Sequence, residues 1–207
     1  VSGTVRGPGV VQVPFGSQGW GRLPGRLPRG LLPLAELSLL EYPDYRLRVA
    51  ADPVESFDDE LGQLVDDLCQ TMDARGIVGL SAPQVNVRKQ VAVIAPSDAE
   101  AHRVYINPRI VQRKGVGFVR EQCESIPGVQ GSVMRSMQVS VQAQARDGTA
   151  FEQQLAGMDA VCIQHEVDHL NGKLFIDRLF VLRRLMIGFG MIGKARRQMG
   201  GRERPAA

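Results

Sequence analysis

The pattern H-E-x-x-H at His165-Glu166-Val167-Asp168-His169 constrains this chain more than any other feature. On a helix, residues four apart lie one turn plus about 40° round, so both imidazoles can face one metal ion. Glu166 lies about 100° from His165, where it can reach a water beside the metal without ligating the metal. Two of the three histidines are in this motif. Met158, Val161, Cys162, His165 and His169 share one broad helix face, and Ile163, Val167 and Leu170 occupy another. A helix apolar on more than one side belongs in the middle of its domain.

The 207 residues, 43% hydrophobic and 23% charged, suit one globular domain of ordinary size. No apolar run reaches the ~18 residues that would suggest a membrane span. The net charge of +3 is uneven: residues 181–207 hold seven Lys or Arg against one acid, Glu203. The remainder carries about −3, which argues against a general DNA or RNA binder and for one basic tail. Three cysteines, Cys69, Cys123 and Cys162, are an odd number with no secretory signal, which predicts a reducing compartment with free or metal-bound thiols.

Residues 1–30 hold eight Gly, four Pro, four Arg and no acid, the composition of a disordered extension rather than of a core. The lack of acid gives a faint likeness to an organelle transit peptide, but no amphipathic helical pattern supports it. Residues 31–180 are expected to form the catalytic domain, and 181–207 an apolar, then basic, C-terminal extension. Ser56 is expected to open a helix with an apolar stripe of Phe57, Leu61, Leu64, Val65, Leu68 and Met72. Cys69 lies beside that stripe as a small buried hydrophobe. Gly79, Ser81 and Ala82 let a backbone approach something closely, and Gln84 is a polar group in apolar company. Strands are expected at 90–95, 103–107 and 115–120, with a turn at Asn107-Pro108. Met137 to Ala145 alternates with period two, and Asp147-Gly148 turns it into a returning strand at 149–155. His102 reads as a surface histidine, and Asp177 as a partner for Arg178 or its surroundings.

A catalytic site of this kind needs a third protein ligand and an open position. No histidine follows His169, and Glu203 lies in the basic tail, so the third ligand should come from upstream. Cys162 is a candidate, but three ligands from one short helix would strain a tetrahedron, so it is preferred as pocket wall. Cys123, in a polar cluster between strands, is the remaining thiol. Two rival readings share the motif: a zinc endopeptidase, and a non-catalytic metal-holding relative.

Taken together, Gly79-Leu80-Ser81-Ala82-Pro83-Gln84, Glu121-Gln122-Cys123-Glu124-Ser125 and Gln164-His165-Glu166-Val167-Asp168-His169 resemble the three motifs of peptide deformylases, in order and at suitable spacing. The resemblance implies an α+β fold, with antiparallel sheets wrapped around a central C-terminal helix that carries the His pair. It implies removal of the formyl group from N-formylmethionine on nascent peptides, with Cys123, His165 and His169 as metal ligands and Glu166 as acid–base. Gln84 and the Glu124 backbone N–H would stabilise the oxyanion. Val78, Gly79, Val119, Met158, Val161 and Cys162 would meet the substrate, with Gly128 also beside the peptide. Fe(II) is the metal implied, with Zn(II), Ni(II) or Co(II) able to replace it. A monomer in the bacterial cytoplasm is expected, or alternatively an organelle, with transient ribosome contact through the basic C-terminus. Gln122 departs from the family's usual Gly, which would cost about 1 kcal/mol or more if the position needs φ > 0. Glu124 stands where Leu is common, but any side chain leaves the backbone N–H intact.

Overall fold

The computed structural model describes residues 36–97 and 101–179. The extension at 1–30 and the tail at 181–207 lie outside the described residues. Among the described residues two α-helices, α1 (Asp59–Arg75) and α2 (Gly157–Leu170), accompany five strands: β1 (Gly79–Ser81), β2 (Val91–Ile94), β3 (Arg103–Gln122), β4 (Gln130–Gln144) and β5 (Ala150–Ala156). The strands form a single antiparallel sheet in the order β1-β2-β3-β4-β5, where several sheets were expected. Length explains the difference. β3 and β4 run for 20 and 15 residues, so one continuous ladder spans what shorter strands would divide.

That ladder bends at β3. Its register against β4 shifts twice, between Ile106 and Arg109 and between Ile110 and Gln112. Asn107-Pro108, expected as a turn, therefore sits inside the strand. Proline has no N–H for the ladder and is tolerated at such a bulge. Asn107 takes φ +51°, and its side chain bonds both the N–H and the C=O of Val54 at 2.8 and 2.9 Å. The backbone of Val54, which lies outside any strand, is thereby satisfied by an amide side chain.

α1 starts two residues later than expected. Asp58, not Ser56, is the cap, and its carboxylate accepts from the Leu61 N–H at 3.0 Å. Leu61, Val65, Leu68 and Met72 are buried against β1, β2 and the segment around Val54, with Phe57, Leu64 and Cys69 packed partly onto them. Gly76, at φ +63°, ends the helix. His102 is half-buried and pairs with Asp73 at 3.1 Å.

α2 packs against a second cluster drawn from β2 to β5: Ile94, Tyr105, Val139, Val141, Ala143 and Leu155 meet Ala160, Cys162 and Ile163. Each large aliphatic side chain buried this way contributes roughly 1.5–3 kcal/mol. The alternation read in the sequence holds in part on β4: Val139, Val141 and Ala143 are buried and Gln138 and Gln142 exposed, but Ser140 is buried as well, its hydroxyl donating to Glu152 at 2.6 Å. Gln164 adds direction to this packing. Its amide donates to Ser136 O and Ala160 O, each at 2.7 Å, and accepts from Ser136 N–H at 3.1 Å, which ties the helix to β4 at one register.

Beyond α2 the chain turns through Gly172 at φ +67°. A Cβ there would lie 2.4 Å from the Arg48 carbonyl oxygen. Backbone cannot withdraw as a flexible side chain can. Gly172→Ala is therefore expected to lower unfolding free energy by about 2 kcal/mol or more. Denaturant titration checks it; an unchanged midpoint would show that this approach is not constrained.

Candidate metal centre

Two periodicities bring the site together. On β3 and just beyond it, Gly117, Val119, Glu121 and Cys123 are buried while Phe118 and Arg120 between them are exposed. Strand alternation thus delivers the Cys123 sulfur to the face that looks at α2. On α2, His165 and His169 are one turn apart, and both are buried. Cys123 Sγ lies 3.2 Å from His169 Nε2, which lies 3.2 Å from His165 Nε2. Among the described residues, these three offer ligand atoms all within 4.8 Å of one another. Tetrahedral ligands at about 2.1 Å (nitrogen) and 2.3 Å (sulfur) from one ion stand about 3.4–3.6 Å apart. The protein donor set, one thiol and two imidazoles, fits a borderline-soft divalent ion in both chemistry and spacing.

Behind His165 stands a buried chain of charges. Glu121 Oε2 is 2.9 Å from His165 Nδ1. Arg135 grips Glu121 with two bonds, at 2.6 and 2.9 Å, and reaches Asp168 at 2.6 Å. Arg178 holds both oxygens of Asp168, at 2.6 and 2.5 Å. Of the two partners read for Asp177, Arg178 or its surroundings, the structure shows the second: Asp177 pairs with Arg48, while Arg178 is held by Asp168. Burial by itself would raise the Glu121 pKa, but Arg135 and then His165 outweigh it and hold the carboxyl at about 2. Asp168 is likewise lowered, burial being outweighed by Arg178 and Arg135. Burial opposes charge on His165, yet the Cys123 sulfur and then Glu121 favour it, so its pKa lies well above the usual range. His169 is pushed the other way by burial and by its positive neighbour. One ring of the pair thus favours positive charge and the other neutrality, and a cation would displace the proton.

Glu166 is buried, and burial pushes its carboxyl up to about 7, partly opposed by His165 and the Ser81 hydroxyl. Its Oε2 is buried with no hydrogen-bond partner among the described residues, as is His169 Nδ1. The close approach read from Gly79 is an approach to this carboxylate. A Cβ on Gly79 would lie 2.5 Å from Glu166 Oε1 and 2.7 Å from Cys162 Sγ. Cys162 donates to Val78 O at 3.4 Å, and burial, reinforced by Glu166, raises its pKa well above the ordinary thiol value. It stays a neutral thiol, which suits a wall better than a ligand.

Gln84 is aimed from a single-turn 3₁₀ helix, Ala82–Val85, that follows β1. Its carbonyl accepts from the Ser81 N–H and hydroxyl, each at 2.9 Å. That fixes the amide so that its NH₂ faces the Cys123 sulfur, at 3.7 Å, and the Ser125 hydroxyl, at 3.3 Å. Cys123 and Ile126 close a turn (2.9 Å), leaving the Glu124 N–H outside that bond and its side chain exposed. Gln122 is not among the residues at positive φ; it lies in β3 opposite Gln130, whose amide donates to it at 3.0 Å. The feared backbone strain is absent because the strand continues extended to this point. Val119 on β3 and Val161 on α2 are buried, Met158 on α2 is half-buried, and Val78, also half-buried, immediately precedes β1.

Sequence reasoning named Glu121, Gln164 and Asp168 only as letters of motifs, and missed Arg135. Alternation was the available signal: Gly131, Val133 and Arg135 are successive inward positions of β4.

A buried thiol, an imidazole pair and an adjacent carboxylate make a donor set that could hold a metal ion beside an acid–base group. Comparison gives the family. The sequence model described as polypeptide deformylase matches residues 36–184. Peptide deformylase of Chromobacterium violaceum is 45% identical over 156 residues, 74% of this chain and 93% of that protein. Peptide deformylase 1 of Pseudomonas syringae is 47% identical over 153 residues, 73% of this chain and 91% of that protein. A Legionella pneumophila peptide deformylase structure superposes with TM-score 0.72 at 42% identity, covering 83% of this chain and all (100%) of that one. This chain belongs to the polypeptide deformylase family.

The Glu121 pKa carries a stability consequence. A carboxyl held below its ordinary 4.5 contributes stability above that pH and loses it as pH falls towards about 2. Glu121→Gln leaves Arg135 with one buried partner instead of two, so it is expected to destabilise by about 3–5 kcal/mol near pH 7. The gap from the parent should narrow steadily between pH 4.5 and 2.5. Urea unfolding across that range measures it; a pH-independent gap would contradict the assignment.

Proposed function

We propose that the chain performs its family's reaction, hydrolysing the formyl group from N-formylmethionine of nascent peptides, at an ion held by Cys123, His165 and His169. The observation that carries this is the convergence of those three buried donors beside the Glu166 carboxylate. In this reading α2 is the central helix and the long β3–β4 ladder its wrapping. Sulfur with nitrogen ligation suits Fe(II), our first choice, as well as Zn(II), Ni(II) or Co(II). A divalent ion there supplies Lewis acidity, lowering the pKa of water and polarising a carbonyl.

The chain's own groups do the rest. Glu166, with an unpartnered oxygen and a pKa near 7, takes a proton from the attacking water and returns it to the amine as the C–N bond breaks. Formate and a free N-terminus result. The Gln84 amide, locked by Ser81, and the Glu124 N–H donate to the carbonyl oxygen as it gains charge; one such donor is worth about 3–4 kcal/mol. Val78, Val119, Met158, Val161 and Cys162 form the apolar wall for the methionine side chain, with Gly79 and Gly128 beside the peptide backbone. Apolar, flexible walls suit an unbranched thioether. Among the described residues no helix is long and apolar enough to cross a membrane. We place the enzyme in a bacterial cytoplasm as a monomer, with the basic tail as its ribosome contact.

Anaerobic purification, metal analysis and a formyl-Met-peptide assay on one sample test this. Cys123→Ala should lose most bound metal and activity together. Glu166→Gln should retain the metal while kcat falls about 10²–10⁴-fold. Normal turnover in Cys123→Ala would overturn the ligand set.

A further inference from the structure

Part of the sheet is open on a side that the active site does not use. β2 pairs with β3 only at residues 103–106, and β5 pairs with β4 only at residues 138–144. From Val116 to Gln122, opposite Gln130 to Ser136, the two strands continue as an unflanked ribbon among the described residues. The inward face of that ribbon is spent on Val119, Glu121, Val133 and Arg135. Alternation puts Lys114, Val116, Phe118 and Arg120 on the outward face, opposite Gln138, Ser136, Met134 and Ser132.

The composition of this face is unusual for a solvated one. Val116, Phe118 and Met134 are 65, 53 and 57% exposed, with Phe118 directly across from Met134. Lys114 and Arg120 are exposed on either side of them, and neither has an ion pair among the described residues. No acid occupies an outward position of β3 or β4. Glu124 lies in the turn beyond one end, and Glu152, on β5, is already bonded to Ser140 and Gln142.

We propose that this outward face docks single-stranded RNA, with a base stacked on Phe118 and phosphates at Lys114 and Arg120. An aromatic platform between cations on a strand surface is the arrangement that holds single strands. The two cations are roughly 20 Å apart along the strand, room for several nucleotides. Ser132, Ser136 and Gln138 supply hydroxyls and an amide that suit the 2′-hydroxyl of RNA. The same polar groups between the apolar ones fit poorly with insertion into acyl chains. The negative balance of the body does not oppose binding here, because charges more than about 8 Å away are largely screened at physiological salt.

The experiment uses the full-length, metal-loaded enzyme and a fluorescein-labelled twelve-nucleotide RNA of mixed sequence, read by anisotropy from 50 to 200 mM salt. The expected result is saturable binding that weakens with salt. Phe118→Ser should weaken it about tenfold, and Lys114→Glu with Arg120→Glu at least tenfold with a flatter salt slope, while turnover of a short formyl-Met peptide stays unchanged. No binding overturns the proposal. So does binding untouched by these variants but abolished by deleting residues 194–207, equal or tighter binding of the matching DNA, or binding to phosphatidylserine vesicles without RNA binding. Should a variant lose turnover, cross-linking of 4-thiouridine RNA to the parent enzyme decides: adducts within residues 114–136 support the assignment, and adducts confined elsewhere overturn it.

Discussion

The geometry of the centre depends on one buried chain of opposite charges, His165–Glu121–Arg135–Asp168–Arg178. A ligating imidazole is oriented and made more basic when its other nitrogen is held, and Glu121 does this for His165, whereas His169 Nδ1 has no such partner among the described residues. A lone buried carboxylate would be costly, so Arg135 neutralises it; a lone buried guanidinium would be costly too, so Asp168 shares it. The chain reaches the surface only at Arg178, whose side chain is 40% exposed. Links come from β3, β4, α2 and the segment after α2, so the ions also tie those elements together.

A second constraint is space. α2 can present Glu166 to the site only because β1 passes it as Gly79. Helix position is in turn set by Gln164, which bonds the backbone of β4 at Ser136, and by the apolar cluster shared with β2 to β5. Packing, helix register and carboxylate placement are therefore one problem, solved by a bare backbone at one position and an amide clamp at another.

Much of this was legible because few residue types can do the chemistry. With two histidines on one helix and three thiols in the chain, the ligand candidates were few, and helix geometry together with the resemblance to the family's motifs favoured Cys123. The α1 stripe and the β4 alternation were read from period alone. What escaped depends on long-range pairing. Arg135 looks like any strand arginine until Glu121 and Asp168 are known to face it. Asn107-Pro108 has the letters of a turn, and only its bonds to Val54 and the ladder around it make it a bulge. Ser56 and Asp58 are both good caps, and the second is the one whose carboxylate meets the Leu61 N–H. The departure at Gln122 looked costly from its letter, whereas the extended backbone removes the cost.

The central claim is that one sulfur from mid-chain and two rings from α2 form a common coordination sphere. X-ray absorption at the metal edge of the loaded enzyme tests it most directly. The account predicts one sulfur at about 2.3 Å and two imidazole nitrogens at about 2.0–2.1 Å. A first shell with no sulfur, or with two, would contradict it.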